Sequence, residues 1–215
     1  MSDPVAVIVV LAAAYFIGAI PSGVIIGRLW RGVDIRSYGS GGSGATNVAR
    51  TLGPRAGAAV FASDFGKGII VAVIARLVSP DAAWLVALAG TVAVLGHMFP
   101  VYIRFKGGTG VATGLGALFV ISPLAGVIAL IGVGIAALSR YISLVSIIGT
   151  SVSLSALFIF SVFELWGHDR WYLLFAIPVG LLILWSHQSN IDRLAKGDES
   201  RLENKPTPRR AQRIP

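Results

Sequence analysis

The chain contains no cysteine, which excludes disulfides, thiolate nucleophiles and cysteine-bearing metal sites. Charge is scarce as well: Asp, Glu, Lys and Arg make up 13% of 215 residues, against roughly 25% in a soluble domain. Only three histidines occur, at positions 97, 168 and 187, and none has a ligand partner at metal-binding spacing. No metal and no cofactor is therefore expected. No GxxxxGK[ST] loop is present, and GTGVAT at 108–113 follows no strand, so neither ATP nor a dinucleotide is implied. The N-terminal MSDPVAVIVVLAAAYFIGAIPSG lacks a basic n-region, and its apolar run is too long for a signal peptide. It reads as a first membrane span.

Apolar surface dominates what remains, with 55% hydrophobic residues and a mean hydropathy of +0.78. Several runs approach the roughly 20 residues that cross a bilayer as helix. The expected fold class is all-α: a polytopic membrane helix bundle with about seven transmembrane helices. Its expected organisation is one bundle over 1–195 and a basic cytoplasmic tail over 196–215. The spans fall at about 5–27, 56–78, 82–100, 111–121, 123–139, 143–163 and 171–187. The run 111–139 is divided at Ser122-Pro123 because of charge. With an outside N-terminus and seven crossings, fifteen of the eighteen Lys and Arg residues lie on the cytoplasmic side, as the positive-inside rule demands. A single crossing there would turn either the early basic loops or the basic tail outward. The chain's net charge of +8 thus sits in loops beside lipid. Membrane lipid is an expected partner and nucleic acid is not.

The unusual loops all share that side. The first, DIRSYGSGGSGATNVARTLG at 34–53, interleaves glycine with Ser40, Ser43 and Thr46 before Asn47 and Arg50. The second, RFKGGTGVAT at 104–113, sets Gly107, Gly108 and Gly110 beside Lys106. Glycines let backbone N–H groups converge on phosphate oxygens while cations neutralise the charge; such loops can also be plain turns. Arg28, Arg31, Arg36 and Arg55 read as topology determinants. Asp64 and Lys67, three apart within the second span, are expected to pair on one helix face, with contact between Lys67 and a bound anion as the lesser reading. His97, at the end of the third span, is either a helix-end contact or part of the site. His187 and Asn190 share a face at the end of the last span. Together with Asp192 the same histidine forms an HxxxxD string, the signature of a large class of glycerolipid acyltransferases, but the companion blocks of that class are missing here.

Five blocks then point one way: GSGGSGATNVARTLG (39–53), DFGKG (64–68), GHMFPVYIRFKGGTGVAT (96–113), RYISLVS (140–146) and HQSNIDRLAKGDE (187–199). In this order they resemble the acyl-phosphate:glycerol-3-phosphate acyltransferase family of bacterial membranes. The resemblance implies transfer of an acyl group from acyl phosphate to the 1-hydroxyl of glycerol 3-phosphate, giving lysophosphatidate and phosphate in the first step of phospholipid synthesis. It also implies a multi-pass protein of the bacterial cytoplasmic (inner) membrane whose site faces the cytoplasm. Carried over by position, His187, Asn190, Ser143 and Arg50 are the catalytic residues. Ser40, Gly41, Asn47, Lys106, Gly107, Gly108, Thr109, Gly110 and Glu199 bind substrate. Two positions depart from the family pattern: Gly42 stands where asparagine is usual, and Thr109 stands where the glycine loop usually has a second lysine. The lost charge-assisted bond is typically worth about 1.5–3 kcal/mol. Either Arg104 or Lys106 compensates, or the chain is a weak enzyme or a paralogue with altered donor use. A membrane transporter of phosphorylated or anionic solutes is the alternative reading, and a bundle that only binds anionic lipid is a third.

Overall fold

The computed structural model describes residues 3–137 and 141–199. Ten α-helices follow one another among them, and no strand occurs among the described residues. Backbone groups in hydrocarbon must bond within their own segment, and an apolar helix achieves this. The first apolar run forms α1 (Pro4–Ala19), capped by Asp3, and α2 (Ser22–Arg31). The two are separated at Ile20-Pro21 because proline removes an N–H and disfavours helix at the preceding residue. The span expected at 5–27 is thus broken in its second half.

Next come α3 (Ala45–Leu52), α4 (Pro54–Val78), α5 (Ala83–Met98), α6 (Val111–Ile121) and α7 (Pro123–Ala137). The last three are α8 (Ile142–Val162), α9 (Leu173–Ser186) and α10 (Gln188–Lys196). Pro54 and Pro123 open α4 and α7 at the first helical position, where a missing N–H costs nothing. Among the described residues four segments are long and apolar enough to cross a membrane, and counting the pair α9–α10, bent by 53°, as one span gives five. With 11 residues, α6 reaches about 17 Å at 1.5 Å per residue, short of roughly 30 Å of hydrocarbon.

Small residues set the helix contacts. Gly18 lies against Ala93, and Gly96 against Tyr15 and Ala19, where α1 crosses α5. Gly68 lies against Thr113 and Ala117, and Gly116 against Phe65, where α4 crosses α6. A methyl group at any of these four glycines would meet backbone, so the helices approach as closely as membrane packing allows. The core between them is built of alanine, valine and leucine, with Phe175 fully buried.

Candidate active site

One cavity of about 1370 Å³ opens at the loop end of the bundle. Its polar part is lined by the first glycine-rich loop and the start of α3, by residues 107–109, by Ser143 and by the α9–α10 bend. Its apolar part runs on between helices past Leu115, Leu118, Leu130, Leu154 and Ile183. The separate loops seen in the sequence therefore do fold into one pocket.

Ten of the thirteen expected site residues line it: Ser40, Asn47, Arg50, Gly107, Gly108, Thr109, Ser143, His187, Asn190 and Glu199. Gly41, Lys106 and Gly110 lie outside the lining. Gly41 makes the turn at φ +78°, and Gly110 starts α6 at φ +83°. Lys106 and Arg104 are exposed, so neither cation expected to compensate for Thr109 stands in the cavity wall. Thr109 is in that wall, its carbonyl accepting from Ser186 Oγ at 3.2 Å.

Two expected roles change. Gly108 N donates to His97 O and Gly107 N to Met98 O, each at 3.2 Å. Those amides cap the open carbonyls at the end of α5 instead of turning to an anion. Buried Asn47 serves its own loop: Nδ2 donates to Gly42 O at 2.9 Å and lies 3.1 Å from the carbonyls of Ile35 and Tyr38, while Oδ1 accepts from Ser40 N at 3.2 Å. The first loop is shaped by that side chain.

Further bonds join the two loops. Ser43 N donates to Gly107 O at 3.3 Å. Arg36 pairs with Asp34 at 2.7 Å and donates from its other terminal nitrogen to Ile103 O at 3.1 Å. The bond to Arg36 holds the Asp34 carboxyl below its ordinary pKa. Arg36 therefore has a structural function beyond topology.

Glu199 is the centre of a third group in the lining, with Ser143, Asn190 and Arg193. It is buried and accepts from Ser143 Oγ at 2.8 Å, Asn190 Nδ2 at 3.0 Å and Arg193 Nε at 2.7 Å. The expected tail therefore begins inside the bundle, since 197–199 fold back onto it; residues 200–215 lie outside the described residues. Burial works against the Glu199 charge, yet the bonds from Asn190, Ser143 and Arg193 prevail and its pKa is lowered. Burial also lowers the pKa of Arg50, against the pull of Glu199 and with the push of Arg193. A guanidinium stays charged even so.

Arg193, which the sequence offers only as one of the fifteen cytoplasmic-side cations, lines the cavity. Its signal was spacing: His187, Asn190 and Arg193 recur every three residues. His187 sits at the bend itself, buried, with Nδ1 donating to Ile183 O at 2.8 Å. In the neutral ring this leaves Nε2 as the acceptor. Asp192 is exposed and has no hydrogen bond or ion pair with His187 among the described residues, so the HxxxxD string forms no dyad.

The N-termini of α3 and α6 have no side-chain cap and both border the cavity. Their open N–H groups favour an anion. The cavity thus combines two guanidinium groups, two helix N-termini, one imidazole acceptor and an apolar extension.

Comparison with known proteins identifies the family. A profile of the family described as glycerol-3-phosphate acyltransferase matches residues 8–197. A relative of that name from Desulforudis audaxviator is 42% identical over 91% of this chain and 96% of its own length. One from Aquifex aeolicus is 43% identical over 87% and 95%. Among solved structures, the glycerol 3-phosphate form of PlsY (YgiH), described as an integral membrane glycerol 3-phosphate acyltransferase, superposes with a TM-score of 0.83. It is 42% identical and is covered over 94% of its length by 91% of this chain. The lysophosphatidic acid form gives 0.80 at 41% identity. On fold and sequence together, the chain belongs to the glycerol-3-phosphate acyltransferase family of integral membrane proteins.

Proposed function

We propose that this chain transfers a fatty acyl group from acyl phosphate to the 1-hydroxyl of glycerol 3-phosphate. The observation that carries the reading is the continuity of the cavity: its cationic end fits phosphate, and its apolar end fits an acyl chain. In membrane terms the bundle crosses seven times, with α6 and α7 as two short spans, the N-terminus outside and the cavity facing the cytoplasm. Charge asymmetry supports that layout.

Acyl phosphate is a mixed anhydride with a good leaving group, so positioning and fixed charge can supply most of the catalysis. Arg50, Arg193 and the open ends of α3 and α6 hold phosphate. Ser40 adds a hydroxyl at the cavity mouth. Ser143 and Asn190, ordered by Glu199, orient the acceptor. His187 Nε2 accepts a hydrogen bond from the 1-hydroxyl and directs its oxygen at the acyl carbon. The oxygen–carbon ester bond forms as the carbon–oxygen bond to phosphate breaks. The hydroxyl oxygen attacks the acyl carbon directly, so no residue is acylated, and the hydroxyl proton shifts from its bond to His187 Nε2 to an oxygen of the departing phosphate as the new ester forms.

The decisive measurement is phosphate release by purified protein given acyl phosphate. Release that depends strictly on glycerol 3-phosphate, with lysophosphatidate formed in equal amount, is the expected result. Release without acceptor, or movement of intact glycerol 3-phosphate across vesicles without acylation, overturns the reading. The transporter alternative is disfavoured by the site itself, which lies at one end of the bundle instead of the midplane typical of alternating access.

A further inference from the structure

The apolar arm of the cavity ends inside the bundle, and packing decides where. Its innermost lining residues are Leu118 on α6, Ala129 on α7, Leu154 on α8 and Val179 on α9, all of them buried. One helical turn farther in, Ile121, Ala125, Leu157 and Phe175 are buried as well, and these four lie outside the cavity wall. The eight side chains belong to one apolar core. Four helices thus close together, and the arm stops on a packed floor.

Contacts at three glycines show how firmly that floor is built. Leu154 reaches across from α8 to α9, where a Cβ added at Gly180 would stand 3.6 Å from Leu154 Cδ1. Behind the floor the Phe175 ring fills the space up to α5, 3.0 Å from a Cβ placed at Gly90. The seam between α7 and α8 is shut by backbone, with Gly149 Cα 3.2 Å from a Cβ placed at Gly132. Ser153, beside Leu154 in the lining, donates to Thr150 O at 3.1 Å, so its own helix holds that proton. The arm does open sideways: Leu130 and Phe61 line it and are 51% and 42% exposed on the lipid side. A chain that turned out there would leave the tip empty, and a void among packed side chains forfeits dispersion contacts.

We propose that Leu154 and Ala129 set the length of acyl chain this protein transfers, by forming the floor on which the chain's methyl end rests. The inference rests on the acyltransferase reading above and narrows its donor class. From Ser143 at the polar end to Leu154 at the floor, α8 runs about 16 Å at 1.5 Å per residue. One leaflet of a bilayer holding roughly 30 Å of hydrocarbon is about 15 Å deep. The arm therefore takes an extended chain of ordinary membrane-lipid length and meets a longer one with a wall. An extra methylene against a closed apolar surface costs about tenfold or more in selectivity.

Internal competition tests this. Purified, detergent-solubilised protein receives glycerol 3-phosphate and an equimolar series of saturated acyl phosphates from lauroyl to arachidoyl. Mass spectrometry then resolves the lysophosphatidates formed early. Their ratios read relative kcat/KM and are unaffected if part of a preparation is unfolded. Wild-type protein gives a peak at one length and a fall of about tenfold at the next longer chain. Leu154→Ala deepens the arm and moves the peak to a longer chain; Ala129→Leu fills it and moves the peak to a shorter one. Should Leu154→Ala fail to fold, the milder Leu154→Val decides by a smaller shift in the same direction. A flat wild-type profile overturns the proposal, because the chain then leaves sideways past Leu130. So do variants whose profiles match wild type, or that both shift the same way, as general loosening would make them. Wild-type protein that forms no lysophosphatidate from any donor instead sinks the acyltransferase reading, a distinct outcome.

Discussion

The two glycine-rich loops have similar compositions for different physical reasons. In the first, Gly39 and Gly41 adopt positive φ of 52° and 78°, and their glycine is needed for conformation. At Gly42 a Cβ fits without clash, in ordinary contact with Ser40 Oγ at 3.7 Å and Gly107 O at 3.8 Å. In the second, Gly107 and Gly108 are needed for lack of room, with α5 carbonyls and the His97 ring where a side chain would stand. The first loop is a run of turns held by Asn47 so that α3 can present Arg50. The second is a shelf pressed onto the end of α5. Side chains do the work of one and backbone placement that of the other.

Removing what the first loop presents gives the largest effect. Arg50→Ala lowers kcat/KM by about 10²–10³-fold, the usual consequence of deleting a fixed donor at developing charge. Turnover retained with unchanged KM for both substrates takes Arg50 out of the phosphate clamp. In the second loop, Gly107→Ala displaces the shelf against His97 O and Met98 O and costs about 10²-fold in activity, as small misplacements do. If it behaves like wild type, the shelf is not rigid.

Thr109→Lys adds a cation to the cavity wall and lowers the KM for phosphate-bearing substrate by about tenfold, within what one charge-assisted bond supplies. No change means that Arg50 and Arg193 already saturate the phosphate. Acid stability is a finer probe. Because the Glu199 pKa is lowered by folding, its contribution is complete above the ordinary glutamate value. That contribution disappears as pH falls through the depressed value. Glu199→Gln should be less stable at neutral pH and flatter through the acid range; thermal unfolding against pH reads both. An unaltered acid limb means Glu199 gains nothing from its three donors. The smallest effect is Gly42→Asn, whose Cβ meets only ordinary contacts and which changes activity by less than about twofold. A large loss would mean the first loop is as tightly packed as the second.

Legibility in the sequence followed the range of the interaction. Membrane class, helical structure and the glycine loops could be read from composition and short motifs because each depends on neighbours in the chain. The Asp64–Lys67 pair could be read from helical spacing alone, and at 2.6 Å it is present. Other features could not. Arg193 looked like any other cytoplasmic-side cation, because what distinguishes it is Glu199, which reaches it only when 197–199 fold back. The amides of Gly107 and Gly108 were assigned to an anion because their competing acceptors belong to His97 and Met98, which the turn at 99–105 brings back to them. Lys106 carried the right charge in the right motif and yet stands outside the cavity wall.

By itself the sequence determined the solvent, the helices and the residues available for phosphate chemistry, because hydropathy, backbone satisfaction in lipid and motif spacing are local properties. Only the tertiary structure decided which cations face the cavity, which amides are already bonded and which carboxylate orders the acceptor side. Those depend on donors and acceptors brought together from distant segments, and a bond made there changes what each residue has left to offer a substrate.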